Sequence, residues 1–177
     1  MSVLIFEGAD CVGKTSLIEQ YVKLLPENSV IVKHFSYPPK ILINKNDQHD
    51  YCQIEYFNEL NFHKRFSNIT FIYDRYYLGE QVYAPIFRGY SPNYINELEQ
   101  KLNEESAILI LVTASPETVK KRFDGNFIKM ENIEELLNRY EIIFKNSKIK
   151  NKIIINTDFE SPVILAQKLK YQLGGEI

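Results

Sequence analysis

Short apolar runs rich in β-branched and aromatic residues recur at Val3–Phe6, Ser29–Val32, Ile69–Tyr73, Ile108–Val112 and Lys152–Ile155. Amphipathic stretches lie between them. Leu17, Ile18, Tyr21, Val22 and Leu25 recur at helical spacing before Pro26, which stops the helix. Ile133, Leu136, Leu137, Tyr140, Ile143 and Phe144 share one helical face between the fourth and fifth runs. Ser115-Pro116 supplies a capping hydroxyl and a proline at the first helical position, so a helix starts directly after the fourth run. Strands alternating with helices predict an α/β fold: a five-stranded parallel sheet with helices on both faces, wound as a single domain over 1–177. No repeat, low-complexity tract or shift of composition marks a second domain.

Composition narrows the partners. With 45% hydrophobic residues the chain has enough to build one core. Lys and Arg total 21 against 23 acidic residues, a net charge of -2, so no extended nucleic-acid polymer is expected and any anion site is local. Cys11 and Cys52 are too few for a disulfide framework, and no Cys/His cluster suggests zinc. The opening residues show neither a basic leader nor an apolar span of membrane length, so the expectation is a cytoplasmic protein with no membrane partner. Oligomeric state stays open, a homodimer being one option.

The strongest chemical signal is Gly8-Ala9-Asp10-Cys11-Val12-Gly13-Lys14-Thr15, a Gly-x-x-x-x-Gly-Lys-Ser/Thr pattern placed between the first strand and the first helix. Glycines there let backbone N–H groups turn inward around phosphate oxygens, and the helix N-terminus adds a favourable dipole. Residues Gly8 through Ser16 are thus the candidate ATP-binding loop. Lys14 is expected at the β- and γ-phosphates, and the Thr15 hydroxyl at Mg²⁺. A second signal ends the third strand: Asp74-Arg75-Tyr76. Asp74 is suited to hold Mg²⁺ through its water shell, and the Arg75 fork to grip a phosphate. A solvated Asp–Arg pair at a strand end is the competing reading.

These residues resemble the thymidylate kinase family, within the P-loop nucleotide and deoxynucleoside kinases. Phe6-Glu7-Gly8 with Asp10 and Gly13-Lys14-Thr15 is similar to that family's opening motif, and Asp74-Arg75-Tyr76 to its DRY. The segment through Gln81, Tyr83 and Arg88 is more similar to viral deoxynucleotide kinases. The resemblance implies a P-loop kinase fold with a short lid over about 121–131. It implies Mg²⁺ with ATP as donor, and transfer to a deoxynucleoside monophosphate, dTMP first. Asp10 would meet the acceptor sugar and Arg75 the acceptor phosphate, making Arg75 catalytic together with Lys14. Tyr37 and Lys40, after the second strand, would face that phosphate too, although lysine stands where the family keeps arginine. Phe57 would stack on the base, Asn61 would replace a base-reading arginine, and Tyr83 would join the acceptor side. Arg122 and Lys129 would supply catalytic cations from the lid. Asn156-Thr157-Asp158-Phe159 would lie near the adenine.

Three other functions compete. Asn44-Lys45-Asn46-Asp47 spells a guanine-reading motif of GTPases, but it follows the second strand and not a late one. A regulatory nucleotide-binding module without catalysis does not need Lys14, Thr15, Asp74 and Arg75 together. A deoxynucleoside kinase shares the constellation but requires a base for a sugar hydroxyl. From Ser29 through Asn46 there is no acidic residue, while Lys33, Lys40 and Lys45 add positive charge. A monophosphate, already ionised, is the acceptor that this pattern favours.

Overall fold

The computed structural model describes residues 2–36, 38–123 and 133–174. Strand β1 (Val3–Glu7) leads into helix α1 (Lys14–Val22), followed by β2 (Val30–His34), α2 (Lys45–Arg65) and β3 (Thr70–Asp74). Then come α3 (Leu78–Tyr83), a π-helical turn at Ala84–Arg88, α4 (Ile95–Glu104) and β4 (Ile108–Thr113). Helices α5 (Pro116–Arg122) and α6 (Ile133–Asn146) precede β5 (Asn151–Asn156) and α7 (Pro162–Gln172). The strands form one parallel sheet in the order β2-β3-β1-β4-β5. Each expected strand is present, with ends displaced by one or two residues at most.

Every residue of β1 and of β3 is buried. Because successive side chains point to opposite faces, both faces of the sheet centre must be covered, which is why these strands read as unbroken apolar runs. The edge strands β2 and β5 are only partly buried. On the helical layers α1 packs against α7, α3 against α6 and α2 against α4. Among the described residues no helix is long and apolar enough to cross a membrane.

Local chemistry sets several boundaries. The Ser115 hydroxyl accepts from the Thr118 N–H at the start of α5, and Ser161 repeats the arrangement ahead of Pro162 in α7. Helix α1 stops at Val22, one turn before Pro26, and the chain continues in tighter i to i+3 bonds through Leu25. Asn44 is the N-cap of α2, its side chain accepting from Asn46 N at 2.9 Å. The guanine-like tetrapeptide is therefore a helix start, with Asp47 in the favourable first turn.

A chain of polar side chains links β2, α2 and β3. Lys33 on β2 donates to both Glu59 oxygens at 2.7 and 2.8 Å, and Tyr73 on β3 donates to Glu59 at 2.8 Å. His63 bonds Tyr73 through Nε2 at 2.6 Å and Glu105 through Nδ1 at 2.5 Å. These bonds satisfy buried polar groups and fasten α2 to the sheet.

Candidate functional site

The phosphate loop leaves β1 where strand pairing ends. Gly8 has φ 144°, and a Cβ placed there would lie 2.2 Å from the Val112 carbonyl oxygen, so only glycine fits against β4. Gly13, at φ 91°, caps α1 and turns the chain into the helix. Asp10, Cys11, Gly13, Lys14, Thr15 and Ser16 line one cavity, while Ala9 and Val12 are buried behind it. Lys14 Nζ donates to the Gly8 and Ala9 carbonyls at 2.8 and 2.7 Å. Burial, with help from the Arg75 charge, brings its ammonium down to about 8.

Asp74 closes β3 directly opposite the loop. Thr15 Oγ1 donates to Asp74 Oδ2 at 2.7 Å, and His34 Nδ1 stands 3.3 Å from the same oxygen. Asp74 Oδ1 is buried and has no hydrogen-bond partner among the described residues. The Thr15 hydroxyl and the orphaned Asp74 carboxylate oxygen offer oxygen ligands that suit Mg²⁺, a cation bound by few protein ligands plus phosphate oxygens. Arg75 occupies the left-handed region, φ 70°, where a non-glycine residue carries strain. The turn aims its guanidinium back at the loop, where Nη2 pairs with Asp10 Oδ1.

Glu7 fixes that turn from behind. Its Oε1 accepts from Tyr76 N at 2.8 Å and Leu78 N at 2.9 Å. Full burial raises the Glu7 carboxyl from 4.5 to about 7, against the two backbone N–H groups and the charges of Arg75 and Lys14.

The cavity has a volume of about 470 Å³ and extends from the loop to an aromatic wall. In that wall the Phe35 ring lies 5.1 Å from Tyr76 and 5.4 Å from Tyr56, centroid to centroid. Glu80 and Arg88 line the same cavity. Arg88 Nη2 donates to Glu80 Oε2, and the Tyr90 hydroxyl donates to Oε1. Burial raises the Glu80 carboxyl, and Arg88 and Tyr90 act against that rise. Burial also pushes the nearby Cys52 thiol up to about 12, which leaves it an inert packing residue.

No protein-family model and no curated protein sequence matches the chain. Solved structures do. The YorR protein of Bacillus subtilis, in complex with phosphorylated GDP, superposes with TM-score 0.69 at 21% identity, over 97% of this chain and 95% of its own. Thymidylate kinase from Candida albicans gives TM-score 0.66 at 13% identity, over 98% and 91%. Deoxyadenosine kinase from M. mycoides with bound dCTP gives 0.56 at 17%, over 98% and 99%. The fold is that of the P-loop kinases.

Within the P-loop kinase fold, the expected residues divide into those the cavity gathers and those it does not. Asp10, Cys11, Gly13, Lys14, Thr15, Ser16, Asp74, Arg75 and Tyr83 line it. Phe57 does not: it is half-buried on α2, its ring 6.5 Å from Tyr94 with Lys101 Nζ 5.8 Å from its centroid, facing α4. Asn61 is exposed one turn further along α2, and Lys40 is exposed beyond β2, both outside the cavity lining. Arg122 lies on the far side of the loop, with Nη1 2.8 Å from Thr157 Oγ1 and Nη2 2.8 Å from the Thr157 carbonyl. Its Nη1 also reaches the Val12 carbonyl at 3.3 Å, so Arg122 ties the loop to the segment after β5 and does not enter the cavity. Tyr37, Lys129 and most of the expected lid lie outside the described residues.

Sequence reasoning missed His34, Phe35, Tyr56, Glu80 and Arg88 as cavity residues. His34 and Phe35 carried a usable signal, because the C-terminal end of a parallel strand opens onto the crevice. Arg88 stood in the segment noted for its resemblance to viral deoxynucleotide kinases, but nothing paired it with Glu80, since only the turn between them brings them together.

Proposed function

We propose that the protein transfers the γ-phosphoryl group of Mg²⁺-ATP to a deoxynucleoside monophosphate, with dTMP to dTDP among its reactions. The observation that carries this reading is the state of the three carboxylates lining the cavity. Asp74 is engaged by Thr15, Asp10 by Arg75, and Glu80 by Arg88 and Tyr90. Asp10 and Glu80 are each held by a guanidinium and the unpartnered oxygen of Asp74 sits beside Thr15 in the corner suited to Mg²⁺, while Arg75 stands at the loop as a cation for a phosphate that is already a nucleophile.

The roles follow from position. Loop N–H groups and Lys14 hold the donor phosphates, the ammonium exchanging two carbonyl contacts for phosphate oxygens. Thr15 and Asp74 would hold Mg²⁺, which would supply screening of charge on the transferred phosphate. Arg75, preset by the left-handed turn, grips the acceptor phosphate and keeps it near the line of attack. Arg122 ties the donor end of the loop to the segment after β5 through Val12 and Thr157. Similarity in fold to a thymidylate kinase and a deoxyadenosine kinase supports nucleotide chemistry of this general kind.

The test is incubation with Mg²⁺-ATP and either thymidine or dTMP, with products separated by charge. Formation of dTDP from dTMP and no dTMP from thymidine is expected. Efficient phosphorylation of thymidine with dTMP left untouched would reverse the assignment.

A further inference from the structure

The end of β2 brings a histidine to the corner that Thr15 and Asp74 form. Parallel pairing sets His34, the last residue of β2, beside Asp74, the last residue of β3, and the carboxyl ends of such strands open onto the crevice where ligands bind. Three side chains meet there. Asp74 Oδ2 lies 2.7 Å from Thr15 Oγ1 and 3.3 Å from His34 Nδ1. Asp74 Oδ1, on a side chain only 7% exposed, is buried with no hydrogen-bond partner among the described residues. All three residues line the cavity.

The plain reading of His34, whose side chain is 59% exposed, is a surface imidazole leaning on a carboxylate. Its contact is longer than an N–H···O bond usually is, and it leaves Oδ1 unsatisfied. A shared cation accounts for both. Ligands about 2.1 Å from an octahedral ion stand about 3 Å from one another, which is the spacing of these donor atoms. The Thr15 hydroxyl keeps lone pairs for such an ion while its proton serves Asp74.

We propose that His34 is a nitrogen ligand of the divalent cation held at Thr15 and Asp74, and that it makes this corner prefer a first-row transition cation such as Mn²⁺ to Mg²⁺. This inference rests on the reading of the glycine-rich loop as the site of a nucleoside triphosphate with its cation. Mg²⁺ is hard, takes oxygen ligands and gains little from an imidazole. First-row divalent cations bind nitrogen more strongly as the series runs on from Mn²⁺. Mn²⁺ also keeps the octahedral geometry that suits carboxylate and phosphate oxygens, so it matches a mixed donor set of this kind.

The experiment uses Mn²⁺ with the β,γ-methylene analogue of ATP, which has no bridging nitrogen, and reads coupling of the Mn²⁺ electron spin to nitrogen by pulsed EPR. Labelling histidine with ¹⁵N identifies an imidazole as the source. The chain has three histidines. His63 is buried between Tyr73 and Glu105, and both ring nitrogens of His49 are engaged by Asp50 and Asn93, so a label-sensitive coupling belongs to His34. That coupling is expected in the native protein and absent in His34→Gln, whose amide still reaches toward Asp74 but offers no imidazole. By calorimetry, the ratio of Mn²⁺ to Mg²⁺ affinity in the analogue complex should fall about 10- to 100-fold in the variant, the range met when a residue supporting a metal site is lost. No histidine coupling in the native protein, whether or not the complex forms, overturns the inference, as does an unchanged ratio in folded His34→Gln. The native spectrum alone decides if the variant does not fold. Should the coupling be present while no monophosphate is phosphorylated with either cation, the proposed function falls and metal ligation by His34 stands.

Discussion

Replacing Glu7 by glutamine tests whether the phosphate loop is held at an electrostatic cost. Glu7 is fully buried, and its carboxyl lies at about 7 in place of the ordinary 4.5. A carboxyl raised in the folded state contributes its full stability below about 4.5, and that contribution is lost as pH rises through about 7. At roughly 1.4 kcal/mol per pH unit the complete loss is roughly 3 kcal/mol, of which about 2 kcal/mol falls between pH 5 and pH 7.5. Glutamine keeps an oxygen for Tyr76 N and Leu78 N, bonds that Glu7 makes with Oε1 alone, and it does not titrate. Lys14 complicates only the alkaline side. Its ammonium, lowered to about 8, carries a cost that is present below that pH and is relieved above it, so it changes little in the chosen window. Urea unfolding of both proteins across pH 5 to 7.5 is the assay. The stability difference, variant minus native, is expected to grow with pH by about 1–2 kcal/mol. A difference that stays level across the range, or shrinks with pH, would refute the reasoning.

Two further substitutions probe neighbouring parts of the loop. Arg75→Ala removes the acceptor cation and leaves Asp10 without its partner, so kcat/KM for the monophosphate should fall about 10²- to 10³-fold with the KM for ATP nearly unchanged; equal weakening of both substrates in steady-state kinetics would place Arg75 on the donor side. Gly8→Ala drives a methyl group to 2.2 Å from the Val112 carbonyl oxygen at φ 144°, and should cost on the order of 2–4 kcal/mol in thermal unfolding; a variant with native Tm would show that the loop has room to shift from β4.

The framework was legible because its signals are local or periodic. β1 and β3 lie at the sheet centre, so their burial on two faces writes itself as apolar runs, and the phosphate loop and the Asp74-Arg75-Tyr76 turn are contiguous in sequence. The aromatic wall shows where such reading ends. The base-stacking ring was expected at Phe57, whereas Tyr56 faces the cavity. Neighbours on a helix point about 100° apart, so a slip of one position moves a side chain from pocket to flank. The chain from Lys33 through Glu59, Tyr73 and His63 to Glu105 joins residues far apart in sequence, and no spacing announces it. Arg122 was expected as a catalytic cation of the lid, and nothing in the sequence announced it as a strap. Its position depends on Thr157, which meets it only after β5 has joined the sheet.

The π-helical turn at Ala84–Arg88 follows α3 without a break and ends at Gly89, in the left-handed region at φ 70°. Such a turn holds one residue more than an α-helical turn would. Loss of one residue there would return the segment to α-helical winding and rotate Arg88 by about 100° around the axis, away from Glu80. The Arg88–Glu80 pair is therefore open to change by insertion and deletion as well as by substitution. A chain one residue shorter in this turn would be expected to lose the pair while keeping the same glycine-rich loop.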